Sequence, residues 1–158
     1  MLAFDPGYER LGVAVLEREG SKEKLIYSDC IRTDAKLPFS DRLGLLGAAA
    51  EALIEKFSPD AIAIEEVYFE NNAKTATKVA RVAGMLSYIS SRSKLPLFEY
   101  TPLEVKVAVT GYGKSDKSAV SMMVQKLVLI PKKARLDDEM DAIAIGITCL
   151  ASSSANRV

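Results

Sequence analysis

The sequence predicts a single α/β domain, a mixed five-stranded sheet flanked by helices. Three short apolar runs open the chain before any helical pattern begins, and two further runs then alternate with helical stretches, as strands joined by crossovers do. Acids close two of the strand-like runs, at the strand ends where α/β sheets gather their sites. A length of 158 residues, 49% apolar and 27% charged, suits one domain with its own core.

Residues 1–4 form the first strand, and 12–16 and 25–31 two more, joined by the polar turn 17–24 into an antiparallel meander. From Ser40, the expected N-cap, Leu43, Leu46, Ala50, Leu53, Ile54 and Phe57 recur at helical spacing until Ser58-Pro59 stops the pattern. Strand 61–65 follows, then the polar Asn71-Asn72. Over residues 73–92, Val79, Val82, Ala83, Leu86 and Ile89 share one helical face. Strand 95–100 is interrupted early by Pro96. Helices then cover 102–109, 117–129 and 138–151, with the basic loop Thr110-Gly111-Tyr112-Gly113-Lys114-Ser115 between the first two. The domain spans 1–151, and 152–158 is a polar tail expected to fray. There is no internal repeat and no linker.

Four carboxylates carry the chemistry. Asp5 ends the first strand before Pro6-Gly7, Glu65 closes Ala61-Ile62-Ala63-Ile64, and Asp138 and Asp141 stand three apart at the head of an apolar helix. Asp5 also fits a turn residue and Asp138 a helix cap. Glu65 is harder to place in a structural role, because a charge closing an apolar run needs a partner or a metal. Asp141 opens the buried-helix pattern Ala142-Ile143-Ala144-Ile145-Gly146-Ile147. Period-two alternation puts Ala3 with Asp5, and Ala63 with Glu65, on one face of each strand, leaving room for ions and the Asp138 helix. Converging carboxylates repel and raise one another's pKa, so they need a counter-charge, and Mg²⁺ or Mn²⁺ suits an all-oxygen set. Glu66 stays an alternative to Glu65, since a one-residue slip would exchange them.

The chain has no histidine, which excludes Ser-His and Cys-His nucleophiles and imidazole metal ligands. Cys30 and Cys149 are solitary and expected in the core. No run approaches 18 apolar residues and the N-terminus lacks a basic region before an apolar core, so the expected location is the cytoplasm, with no membrane partner. Net charge is zero, but Lys106, Lys114, Lys117, Lys126, Lys132, Lys133 and Arg135 face only Asp116 between 105 and 136. Such a stripe fits either a phosphate backbone or a solvated helix face.

Asp5-Pro6-Gly7, Ala63-Ile64-Glu65, Phe98-Glu99-Tyr100, Val105-Lys106, Lys117-Ser118 and Asp138-x-x-Asp141-Ala142-Ile143-Ala144-Ile145 occur in the order seen in RuvC-type Holliday-junction resolvases, and the chain resembles that family to about residue 150. The resemblance implies a ribonuclease-H-like fold and a homodimer that nicks two strands of a four-way DNA junction, with a branch-migration helicase complex as a further partner. It makes Asp5, Glu65, Asp138 and Asp141 the catalytic metal ligands; on physical grounds two Mg²⁺ ions are expected, with the central Asp5 as the bridging ligand. Lys106 and Lys117 become DNA-binding, joined by Lys114 of the basic loop as part of the stripe, and Tyr68, with Phe69 as its alternative, stands at the junction centre. A twofold interface is expected on the apolar face of the 73–92 helix. Two departures stand out: Ala14 where the family has a second glycine, and Val79-Ala80-Arg81-Val82-Ala83-Gly84 in place of a glutamine-alanine-arginine-glycine run. Gly12-Val13-Ala14-Val15 also resembles the YqgF-type proteins that act on RNA. A non-catalytic junction-binding module is the alternative from another class. The opening turn resembles sugar-kinase-like ATPases, whose two domains do not fit into 158 residues.

Overall fold

A computed structural model describes residues 1–20, 22–67, 73–130 and 137–155. In chain order the elements are β1 (Leu2–Asp5), β2 (Arg10–Glu19), β3 (Lys22–Arg32), α1 (Phe39–Phe57), β4 (Ile62–Glu65), α2 (Ala73–Arg92), β5 (Leu97–Tyr100), α3 (Pro102–Thr110), α4 (Lys117–Leu127), β6 (Val128–Leu129) and α5 (Asp137–Ala155). The sheet runs β5-β4-β1-β2-β3-β6. The meander β1-β2-β3 is antiparallel, while β4 joins β1 and β5 joins β4 in parallel.

Local differences from the expected elements have local causes. A sixth, two-residue strand lies parallel to β3 where the helix was expected to reach 129. Helix α4 stops at Leu127 because Val128 turns extended (φ −119°, ψ 135°) at the head of a β-favouring run before Pro131. The polar turn shortens to a tip containing Gly20 at φ 66°. Charged residues extend both strands, paired as Lys24 with Glu17 (3.5 Å) and Arg18 with Glu23 (3.9 Å). Helix α1 starts at Phe39 with Pro38 in the cap position, and Ser40 instead donates to Asp41 Oδ1 at 3.1 Å. Residues 152–155 are helical rather than frayed. The Ser152 hydroxyl pairs with Tyr100 Oη at 2.7 Å and donates to the Cys149 carbonyl at 3.0 Å, which ties that turn to β5.

Alternation along the central strands sorts large and small side chains to opposite faces. Leu2, Phe4, Val13, Ile62 and Ile64 pack on one face against α1 and α2. Ala3, Ala14 and Ala63 lie on the other, under α5 and beside α3 and α4. Val82, Leu86 and Ile89 of α2 are 0–4% exposed inside the first of these cores. The apolar face expected to make the dimer contact is therefore spent within the chain. An interface on α2 has to use its outer side, where Tyr88 is 63% exposed. Among the described residues no helix is long and apolar enough to cross a membrane.

Candidate active site

Asp5 and Glu65 finish adjacent parallel strands in register, Ala3 opposite Ala63 and Phe4 opposite Ile64, so their side chains leave the sheet side by side on the small-residue face. Glu66 is exposed and its amide donates to the Tyr100 carbonyl at 2.8 Å. That resolves the register in favour of Glu65. Helix α5 delivers the other two acids. Gly12 pairs with Asp5 across β1 and β2. A Cβ on Gly12 would stand 2.0 Å from the Asp138 carbonyl oxygen and 3.1 Å from Asp5 Cβ, so the bare glycine is what admits the first turn of α5. Gly146 does the same further along, where a Cβ would meet Leu16 Cδ1 at 2.3 Å.

The charges show the convergence. Asp5 is pushed up from 3.8 to about 7, first by burial and then by Asp141, Glu65 and Asp138, with Lys117 opposing. Burial and then Asp141 raise Glu65, while Lys106 and Lys117 counteract. Asp141 is raised by burial and by Asp137 and Asp138, against its contact with Lys117. Lys117 opens α4 behind the Asp116 cap, which accepts from the Ala119 amide at 2.8 Å. From there its Nζ reaches Asp141 at 2.9 Å and Asp137 at 3.7 Å. The bond to Asp141 holds the ammonium pKa above its ordinary value.

Glu65, Lys106, Lys117 and Asp141 line a cavity of about 270 Å³. A second of about 350 Å³ opens on the α2 side of Asp5 and Glu65. As placed, no three carboxylates among the described residues meet at one ligating point. The donor chemistry nevertheless fits a hard divalent cation: four oxygen-only acids repel one another around Asp5, and among the described residues only Lys117 and Arg10 form ion pairs with them.

Of the sequence-predicted residues, Asp5, Glu65, Asp138, Asp141, Lys106 and Lys117 come together. Lys114 is exposed on the α3–α4 loop and Lys126 on α4. Tyr68, Phe69, Lys132, Lys133 and Arg135 lie outside the described residues. Cys149 is buried as expected, but Cys30 is only partly covered. Its Sγ sits 3.9 Å from Asp138 Oδ2, because β3 ends beside the start of α5. Sequence reasoning also missed Arg10, whose Nη1 is 3.4 Å from Asp138 Oδ2. Its neighbour Glu139 is 4% exposed and accepts from the Ser28 hydroxyl at 2.9 Å. Nothing in the spacing of these residues shows the contacts, which need α5 in place.

Comparison with known proteins supports the fold. The family model described as crossover junction endodeoxyribonuclease RuvC matches residues 1–149. The Thermosipho melanesiensis protein of that name is 42% identical over 151 residues, 96% of each chain. The Ruminiclostridium cellulolyticum one is 41% identical over 147 residues, 93% of this chain and 89% of its own. Among solved structures, Thermus thermophilus RuvC in complex with Holliday junction substrate superposes with a TM-score of 0.91 at 28% identity, covering 98% of this chain and 94% of that one. The yeast mitochondrial resolvase Ydc2 shares the fold, with a TM-score of 0.71 at 16% identity, covering 93% and 75%. The ribonuclease-H-like fold is thus established. With a matching model along nearly its whole length and two relatives above 40% identity, the chain belongs to the RuvC crossover junction endodeoxyribonuclease family.

Proposed function

We propose that the protein is a metal-dependent endonuclease that resolves four-way DNA junctions by paired nicks, with Asp5, Glu65, Asp138 and Asp141 as its catalytic metal ligands. The observation that carries this reading is the convergence of the four acids at the ends of β1 and β4 and the start of α5, with Asp5 raised to about 7 by its surroundings. Two Mg²⁺ or Mn²⁺ ions held there would supply the charge that stabilises the attacking and leaving oxygens of an in-line phosphodiester displacement.

The chain's own groups do the rest. Asp5, at the centre of the set, Glu65, Asp138 and Asp141 would hold the ions, the last two acting together because i, i+3 spacing puts them on one helical face. Lys117, anchored on Asp141, brings a positive charge to the place a scissile phosphate would occupy. Lys106, acting on Glu65 from α3, does the same from the β5 side, and Lys114 extends the basic rim. Tyr68, with Phe69 beside it, follows the catalytic strand and is assigned to the unpaired bases at the junction centre, where stacking contributes about 1–3 kcal/mol per base. Among its described residues each chain has one such acid cluster, so two cuts require a dimer whose twofold axis matches that of the junction.

A nicking assay with Mg²⁺ on a synthetic four-way junction, beside linear duplex and RNA–DNA hybrid, tests the reading. Symmetric nicks in the junction alone are expected. Asp5→Asn, Glu65→Gln, Asp138→Asn and Asp141→Asn each abolish cutting while junction binding persists, because losing a carboxylate lessens repulsion toward phosphates. Substantial Mg²⁺-dependent cleavage in both Asp5→Asn and Glu65→Gln would overturn the assignment, as would preferential cutting of the hybrid.

A further inference from the structure

We infer that Arg10 and Arg32 form a second phosphate-binding rim for the DNA strand crossing the carboxylate cluster, on the side away from Lys106. The inference rests on the proposed junction cleavage and adds a strand path to it. Arg10 opens β2 and Arg32 closes β3, and the two are direct partners in the antiparallel register. Side chains of such partners leave the same face of the sheet with Cβ atoms about 5 Å apart, and like charges there destabilise the pair. Both residues are exposed, the Arg10 side chain by 53%. Two facing guanidiniums share one carboxylate between them, since Arg10 reaches Asp138 at 3.4 Å and Arg32 has no carboxylate partner among the described residues. The nearest acid on β3, Asp29, already accepts from Tyr27 Oη and from the Cys30 amide, each at 2.8 Å. Arg32 lies instead on the Cys30 thiol, which in turn touches Asp138.

A cation pair with a single carboxylate between them keeps a net positive charge at the mouth of the site and attracts anions, and its place in the sheet says which anion. The strand ends set out a line: Glu65 on β4, with Lys106 of α3 acting on it from the β5 side, Asp5 on β1, Asp138 over Gly12 of β2 with Arg10, and Arg32 on β3. Two strand spacings of about 4.8 Å separate β1 from β3. That distance corresponds to about three nucleotides of one strand, at roughly 3.4 Å of helix axis each. The arginines therefore meet backbone phosphates beside the scissile one, and guanidinium forks suit phosphate oxygens. A bound strand would run from the lysine rim, across the carboxylates, to the arginine rim.

The test measures binding of a labelled four-way junction in EDTA, where nothing is cut, between about 50 and 200 mM salt. It compares the wild-type chain with R10Q, R32Q, the double variant and the double lysine variant R10K/R32K. The slope of log affinity against log salt is expected to fall by about 0.9 for each lost contact, close to two for the double variant, and to persist in R10K/R32K. Each single variant reads one contact, so the outcome is decided even where the double variant fails to fold. An unchanged slope in variants with wild-type melting temperatures overturns the inference. So does an unchanged slope accompanied by cleavage that needs more Mg²⁺, which would mean that Arg10 only positions Asp138. A wild-type chain that binds no junction refutes the proposed function itself. A competent wild type with unaltered variants refutes only the arginine rim.

Discussion

The two faces of the sheet are built on opposite rules. Toward α1 and α2 the central strands present Leu2, Phe4, Val13, Ile62 and Ile64, and the helices answer with Leu46, Leu53, Val82, Leu86 and Ile89. Toward α5 the same strands present Ala3, Ala14 and Ala63, and one glycine, Gly12, leaves no side chain at all. Large side chains remove the most apolar area from water and hold layers about 10 Å apart. Small ones give up that area so that a helix can come close, and α5 comes close enough for Asp138 and Asp141 to act on Asp5. One face is organised for stability and the other to crowd charge, and each can be disturbed separately.

The largest effect belongs to the crowded face. Asp5 holds its proton to about pH 7 in the folded chain, against an ordinary value of 3.8. Well below pH 3.8 the folded and unfolded chains are both protonated there, and the group has no effect on stability. As pH rises toward 7 the unfolded chain ionises while the folded one resists, so stability falls, and above pH 7 the full penalty applies. Asp5→Asn is therefore expected to stabilise the protein at pH 8 in EDTA by up to about 4 kcal/mol, at about 1.4 kcal/mol per tenfold change in proton affinity. The gain should vanish well below pH 3.8. Thermal melts at both values check it, and a variant no more stable than wild type at pH 8 would show that the acids do not strain the fold.

Next comes the face built for burial. Leu46 of α1 is 0% exposed in the large-residue core and far from the carboxylates in the layer order. Leu46→Ala should cost about 3 kcal/mol through lost burial and the cavity left behind, read from a urea midpoint. Cleavage per folded molecule should stay within a few-fold of wild type. Equal loss of both would mean the two faces are not independent.

The smallest loss of stability discriminates most sharply. Gly12→Ala adds one methyl where the Asp138 carbonyl stands 2.0 Å away, so α5 has to shift. The expected cost is about 2 kcal/mol, with cleavage down by about 100-fold, because an ångström of misplacement at a reacting centre has that scale. Gly44→Ala is its control. Gly44 lies in α1 with open space around it, and the change should stabilise the helix by about 0.5–1 kcal/mol and leave cleavage alone.

Part of this was legible from residue order. The period of two put Ala3 with Asp5 and Ala63 with Glu65 on one face, and the structure keeps both pairs there. Three-residue spacing at the head of an apolar helix placed Asp138 and Asp141 together, and the strand and helix order followed from punctuation at Gly, Pro and capping residues. These are properties of a single element, set by backbone geometry and read over a few residues. What the tertiary structure alone decided are the contacts between distant elements. Arg10 meets Asp138 across 128 positions, Cys30 leaves the core for the rim of the site, and the apolar stripe of α2 is consumed inside the chain instead of facing a partner. An amphipathic pattern states that a face will be buried but not against what. That choice depends on the distances at which layers pack, and here those distances turn on a few missing side chains, Gly12 first among them.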